Sequence, residues 1–335
     1  MAAPAPSWIR PKPHGIYIAP ADCWVDPSRA VDKALVTHGH ADHARGGHGR
    51  TVATPETLAI MELRYATRDG ATPVAYGETI RLPGGVDASY LPAGHVLGSA
   101  QILLEHAGER VIVTGDYKRR HDPTCPPFEV APCDIFITEA TFGLPVFRHP
   151  PIEEEMQKLL DRLAAHPDRC VLVGAYALGK AQRVIAELRR AGHGAPIYLH
   201  GAMEKMCRLY EEHGVRLGEL RLVSDHSKDD MRGSIVICPP SALNDRWSRR
   251  LPGPITAMAS GWMRIRQRAR QRNVELPLVI SDHADWDELT RTIEEVGAQD
   301  NWITHGREDA LLRWCQLHQR RAKALALVGY EDEDD

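Results

Sequence analysis

The sequence predicts an α/β protein with two core-forming units, and three observations predict it. A short apolar strand running into a loop that offers a histidine or a carboxylate recurs along the chain. A middle stretch alternates helical and strand patterns. At 335 residues, 43% hydrophobic and 26% charged, the chain has the length for two cores and the composition of an ordinary globular protein. No run reaches about eighteen apolar residues, and Met1-Ala2-Ala3-Pro4-Ala5-Pro6 lacks the apolar core of a signal peptide. A cytoplasmic protein with no membrane partner is therefore expected. The seven cysteines form no CxxC pair, and their odd number and wide scatter argue against a disulfide framework. They read as reduced, mostly buried small residues. A net charge of -4 says little about partners, so the placement of charge carries more weight.

In chain order, Lys33-Ala34-Leu35-Val36 is the first informative strand, and it feeds Thr37-His38-Gly39-His40-Ala41-Asp42-His43. Three imidazoles and a carboxylate on one loop leaving a buried strand can converge on a point. That is a metal-ligand pattern, since zinc accepts imidazole nitrogen and carboxylate oxygen alike at ~2.0 Å. Asp32, just before the strand, reads either as a hydrogen-bond partner of a ligating imidazole or as a surface carboxylate. Leu91-Pro92-Ala93-Gly94-His95 ends a second strand on histidine, and Gln101 to Glu105 alternates as the next. Arg110-Val111-Ile112-Val113-Thr114-Gly115-Asp116 ends on a carboxylate after a glycine, which permits close backbone approach. Asp134 to Glu139 ends on Glu139. Arg148-His149-Pro150-Pro151 reads as a linker, because paired prolines stop both helix and ladder.

Beyond it, Glu153–Ala165 has helical apolar spacing through Met156, Leu159, Leu160 and Leu163. Gln182–Arg190 and Met203–Glu212 also read as helices, alternating with strands at Cys170–Val173, Ile197–Leu199 and Ser234–Cys238. This alternation predicts a small parallel α/β unit. Near the far end Leu278–His283 and Asn301–Gly306 are strands that reach His283 and His305. A lone histidine at a strand end is usually a satisfied core or surface residue, but a scatter of 17 histidines would not fall on strand ends so often.

The order His38-x-His40-x-Asp42-His43, then His95, then Asp116, resembles the metallo-β-lactamase fold. Thr138-Glu139-Ala140-Thr141-Phe142-Gly143, Ser281-Asp282-His283-Ala284-Asp285 and Thr304-His305-Gly306 are similar to the acidic, second and third motifs of its nucleic-acid-processing β-CASP branch. Val173 to Gln182 looks like the opening of that branch's inserted cap. Within the branch, the chain is most similar to bacterial exonucleases associated with DNA ligase and helicase genes. The resemblance implies an αββα sandwich at 1–147, a β-CASP cap at 150–273, a return segment at 274–330 and an acidic tail at 331–335. It implies two divalent ions, zinc or manganese, held by His38, His40 and His95, by Asp42, His43 and His305, and by a shared Asp116. It also implies metal-activated hydrolysis of DNA from a 5′ end of single strands in repair, with His283 as general acid or phosphate donor and Glu139 orienting it. Asp42, Asp116, Glu139 and His283 are then the catalytic set, and an ATP-dependent DNA ligase and a helicase are the expected partners. An RNA-processing endo- or exonuclease is the alternative, followed by an inactive nucleic-acid-binding protein.

The dense basic stretch from Arg246 to Arg272 bears on the substrate. If Met263–Gln271 is extended, Arg264, Arg266, Arg268, Arg270 and Arg272 share one face and can track a phosphate backbone. If it is helical, they spread around the axis. Arg264, Arg266, Arg268, Arg270 and Lys180 are the expected nucleic-acid contacts.

Overall fold

The structure, a computed structural model, describes residues 8–66, 70–325 and 327, so the predicted acidic tail from Glu331 to Asp335 lies outside the described residues. The described chain divides into two compact units, one of residues 8–147 and 283–327, the other of residues 148–282.

The first unit opens with β1 (Ile9–Lys12), β2 (Gly15–Ile18), β3 (Cys23–Val25), β4 (Lys33–Leu35), β5 (Arg50–Ala53) and, after helix α1 (Pro55–Tyr65), β6 (Ala71–Pro73). These strands lie side by side in sequence order, antiparallel from β1 to β3 and parallel from β3 to β6. Helix α1 starts where the Thr54 hydroxyl accepts the Thr57 N–H and Pro55 takes an early helical position, and it stops at Ala66 in a left-handed conformation. Then come β7 (Thr79–Arg81), β8 (Asp87–Pro92), β9 (Ala100–His106), β10 (Glu109–Val113) and β11 (Ile135–Ala140).

The second unit follows: α2 (Ile152–Ala165), β12 (Val171–Gly174), α3 (Lys180–Arg190), β13 (Ile197–Leu199), α4 (Gly201–Glu212), β14 (Leu220–Leu222), β15 (Ile235–Cys238), β16 (Ile255–Ala259), α5 (Arg266–Gln271) and β17 (Leu276–Leu278). Its strands form one sheet in the order β14-β13-β15-β12-β16-β17, every pair parallel. The alternation of apolar strands and amphipathic helices thus yields the parallel α/β unit that the pattern predicts.

The chain re-enters the first unit with α6 (Trp286–Val296), β18 (Asp300–Gly306), α7 (Glu308–Leu317) and β19 (Arg321–Ala324). There the second sheet runs β19-β18-β11-β10-β9-β8-β7. Ile16, Val25, Leu35 and Val52 of the first sheet pack with Tyr90, Ile102, Leu104, Val111 and Ile137 of the second. The opposite face of the second sheet, with Ile112, Phe136 and Ile303, is covered by Leu289 and Ile293 of α6 and Leu311 of α7. Outside the first sheet, Ala34 and Ala53 pack against Met61 of α1. The layers are therefore helix, sheet, sheet, helices: the αββα sandwich. Each fully buried Leu, Ile or Phe in these layers contributes roughly 1.5–3 kcal/mol.

One boundary differs from the sequence reading. The motif order puts the return to the sandwich at Val274, but Leu276–Leu278 is an edge strand of the second unit, paired parallel with β16. Val274 and Val279 pack against that unit's core, which draws in this segment's apolar side chains. Fully buried Glu155 of α2 adds a polar tie, accepting the Val279 N–H at 3.0 Å and the Lys158 ammonium at 2.5 Å. Glu155→Ala is expected to destabilise the second unit by about 2 kcal/mol, the scale of a hydrogen bond to a charged group. Urea unfolding followed by amide exchange checks this: the Val279 amide should exchange faster, and unchanged protection would show that the carboxylate does not hold the segment.

Candidate metal centre

Every side chain of the predicted ligand set lies in the first unit, at the ends of its strands. The chain leaves β4 at Leu35 and turns through His38, His40, Asp42 and His43. His95 follows β8, Asp116 follows β10, Glu139 sits near the end of β11 and His305 near the end of β18. Strand ends of a sandwich converge because neighbouring strands are ~4.8 Å apart, close to the reach of two side chains facing one point. His38, His40, His43, His95, Asp116 and Glu139 are all buried.

The ligand atoms of His38, His40, His95 and Asp116 lie within 4.8 Å of one another, as do those of His43, Asp116 and His305, and those of Asp116, Glu139 and His283. Asp116 is common to all three groups. One of its oxygens, Oδ2, is 3.3 Å from His38 Nε2, 3.4 Å from His43 Nε2 and 3.8 Å from His95 Nε2. Asp42 Oδ2 lies 3.4 Å from His43 Nε2. His40 Nδ1 and His95 Nε2 face each other at 3.0 Å.

The local backbone is shaped to allow this. Gly115 has φ +56, and a Cβ there would lie 2.5 Å from Thr37 Oγ1, so only glycine lets the strand before Asp116 press against the histidine loop. The β11–β18 register shifts after Glu139, which pairs with Thr304 while Ala140 pairs with Gly306. His305 is the extra residue of this bulge, with φ 55, and the bulge turns its ring towards the cluster, 5.2 Å from the His43 ring.

The residues fit divalent ions. His38 Nε2 and Asp42 Oδ1 are buried without a hydrogen-bond partner, which is costly unless a cation meets them. Burial pushes the Asp116 carboxyl up to about 7 against the pull of His43 and His283. Burial, reinforced by the neighbouring imidazoles, holds His38 well below the usual histidine range, and burial with the His43 charge draws His305 down to about 3. Against burial, the carboxylates beside His43 hold its imidazole well above the usual range, so the cluster draws positive charge to His43 while His38 and His305 resist protonation. Neutral imidazole nitrogen is also the form that ligates a metal.

Asp26 is the functional residue that the sequence reading missed. It is buried, at φ 44, and accepts the Thr37 amide at 2.8 Å, the Thr37 hydroxyl at 2.6 Å and His43 Nδ1 at 2.8 Å. Because the Thr37 hydroxyl gives its proton to Asp26, its oxygen is free to accept from His38 Nδ1, 3.0 Å away. As neutral rings, both imidazoles would then carry the proton on Nδ1 and turn an Nε2 lone pair to the cluster. The signal was present, since Cys23-Trp24-Val25-Asp26 is another strand ending on a carboxylate. Asp32, weighed for this part, is exposed, and its backbone carbonyl accepts the Arg50 N–H. On the other side of the cluster, Glu139 accepts the Tyr117 amide at 2.8 Å and meets His283 Nδ1 at 3.1 Å.

One expectation in the second unit changes, and one open choice is resolved. Lys180, expected on nucleic acid, is buried 3.4 Å from Asp282 Oδ2, with its ammonium over the Tyr176 ring, because it packs at the start of α3 rather than in solvent. The arginine ladder is not extended: a 3-10 turn holds Arg264, and α5 carries Arg266, Arg268 and Arg270 around its axis. Arg268 stacks on Trp262 at 4.1 Å, while Arg264, Arg266 and Arg270 are exposed. For the cluster itself, Asp26→Ala is expected to weaken metal binding 10–100-fold by freeing both imidazoles to rotate and change tautomer. Competition against a zinc chelator measures this, and wild-type affinity in the variant would remove Asp26 from the part assigned to it.

No family model matches the chain. Over 298 residues the chain is 31% identical to a protein of Opitutus terrae named probable DNA ligase, across 88% of this chain and 28% of that protein. It is 29% identical over 282 residues to Ribonuclease TTHA0252 of Thermus thermophilus, across 71% of this chain and 62% of that protein. The chain thus spans less than two thirds of either relative's length. Its fold is similar to the crystal structure of a protein of unknown function from Enterococcus faecalis, with a TM-score of 0.57 at 13% identity over 82% of this chain and 76% of that one. With its motif order, its αββα sandwich and these relatives, the chain belongs to the β-CASP family of metallo-β-lactamase-fold proteins.

Proposed function

We propose that the chain hydrolyses phosphodiester bonds of nucleic acid with two divalent ions, acting as a DNA exonuclease from the 5′ end of single strands in repair. The observation that carries this reading is the sharing of one buried carboxylate, Asp116, by two ligand groups, with the Glu139–His283 pair adjoining them. His38, His40 and His95 would hold one ion, Asp42, His43 and His305 the other, and Asp116 both. Zinc suits this donor set, and manganese does too. When bound, such ions polarise a phosphoryl oxygen and bring the pKa of water close to neutrality.

The chain's own residues supply the rest. Glu139, held by the Tyr117 amide, meets His283 at Nδ1, and Nε2 is the ring nitrogen that would serve the scissile phosphate. As the water oxygen bonds to phosphorus and the bond to the leaving 3′ oxygen breaks, His283 gives that oxygen its proton. Its side chain keeps 19% exposure, enough to recover a proton from solvent between turnovers. Exposed Arg264, Arg266 and Arg270 offer a cationic surface to a phosphate backbone.

The match to a chain named probable DNA ligase supports DNA as substrate and a DNA ligase as partner, while the ATP-dependent type of that ligase and a helicase partner rest on the resemblance of the motifs alone. The match to a named ribonuclease favours a second reading, an RNA-processing nuclease of the same chemistry. Digestion of 5′- and 3′-labelled single-stranded DNA with matched RNA separates them. Mononucleotides released first from the 5′ label are expected, abolished in Asp116→Ala and slowed about 10²–10⁴-fold in His283→Ala. RNA-selective or internal cleavage would reject the DNA exonuclease. Replacing Arg264, Arg266 and Arg270 together by Gln should flatten the salt dependence of single-strand binding, by a slope of about 0.7 for each phosphate that the variant no longer neutralises. A slope unchanged from wild type would place the strand elsewhere.

A further inference from the structure

We propose that α1 is a strut that sets the spacing of the two loops carrying the imidazoles, with Thr57 and Tyr65 as positioning residues for the centre; this rests on reading the cluster as a metal centre. At the N-terminal end of the helix, Thr54 and Thr57 are fully buried and both give their hydroxyl protons to one acceptor, the Gly98 carbonyl, at 2.6 and 2.9 Å. Gly98 belongs to the turn that follows His95. Its neighbour Ser99 closes that turn by accepting the amides of His95 and Val96 on Oγ, each at 3.1 Å. Fixing the Gly98 carbonyl therefore fixes the backbone that carries His95.

At the other end of the same helix, Arg64 Nη1 donates to the Gly39 carbonyl at 2.7 Å, and the Tyr65 hydroxyl donates to the Ala44 carbonyl at 2.8 Å. These two carbonyls bracket His40, Asp42 and His43. Between the ends, fully buried Ile60 lies so close to Gly39 that a Cβ there would sit 2.7 Å from Ile60 Cγ2. Both loops are thus referred to one rigid element. An ion drawing His38 and His40 from one loop and His95 from the other feels any change in their separation. An ion held by Asp42, His43 and His305 takes nothing from the His95 loop.

Cobalt(II) titration of the metal-free chain, followed by visible absorption, tests this without reference to activity. Thr57→Val keeps the side-chain shape and removes the hydroxyl, so one of the two cobalt ions should bind about ten-fold more weakly with altered absorption bands. The other should be unchanged. Thr57→Ser keeps the hydroxyl and loses the methyl group, and it should retain wild-type affinity and spectrum, which a packing role would not allow. Undiminished cobalt affinity in Thr57→Val, or equal losses in the two variants, would overturn the strut. Should Thr57→Val fail to fold by thermal melting, Tyr65→Phe at the half-exposed end decides: weaker cobalt binding supports the strut and unchanged binding overturns it. A wild-type chain that takes up no cobalt would overturn the metal-centre reading beneath it.

Discussion

Burying imidazoles and carboxylates together is unfavourable unless positive charge compensates them, and the first unit is arranged around that constraint. Asp116 is the point where it is most acute. It lies at a strand end, in a pocket where His38, His43 and His95 approach one of its oxygens. Two divalent ions would satisfy this set, and the surrounding structure would then have a consistent purpose. Asp26 and Thr37 direct ring nitrogens inward, the β18 bulge swings His305 in, and glycine at 115 lets two loops touch.

The sandwich supplies the rigidity that such a site needs. Both sheets bury apolar side chains against each other, and helices cover their outer faces. Ligands placed at strand ends inherit the precision of the sheets, whereas ligands within the histidine loop have no ladder of their own. The helix α1 contacts fall where that support is missing, which is why a helix ahead of an edge strand matters to a centre it does not ligate.

Much of this was legible in the residues. The His38–His43 window, His95, Asp116, Glu139 and His305 stood out because strand-end placement and metal chemistry leave few other reasons for them, whereas the strand expected to reach His283 stops at Leu278 and leaves that histidine on a loop. The helices of the second unit were legible from their periodicity, and α2, α3 and α4 begin within two residues of the spacing-based bounds. What escaped depended on contacts remote in sequence. Asp26 is seventeen positions from His43, Thr57 is forty-one from Gly98, and nothing local ties either pair. The arginine stretch was ambiguous by its nature, since period two fits an extended chain, while α5 is set by the burial of Ala269 and the stacking of Arg268 on Trp262. Lys180 misled because a charged residue at a helix start looks exposed until its partner, Asp282, is brought to it by folding.

The metal content of the purified chain bears on all of this at once. Elemental analysis after saturation with zinc and removal of loosely bound metal should find two ions per chain, in keeping with two ligand groups that share one carboxylate. Fewer than one ion per chain would contradict the centre and, with it, the electrostatic reason for burying Asp116.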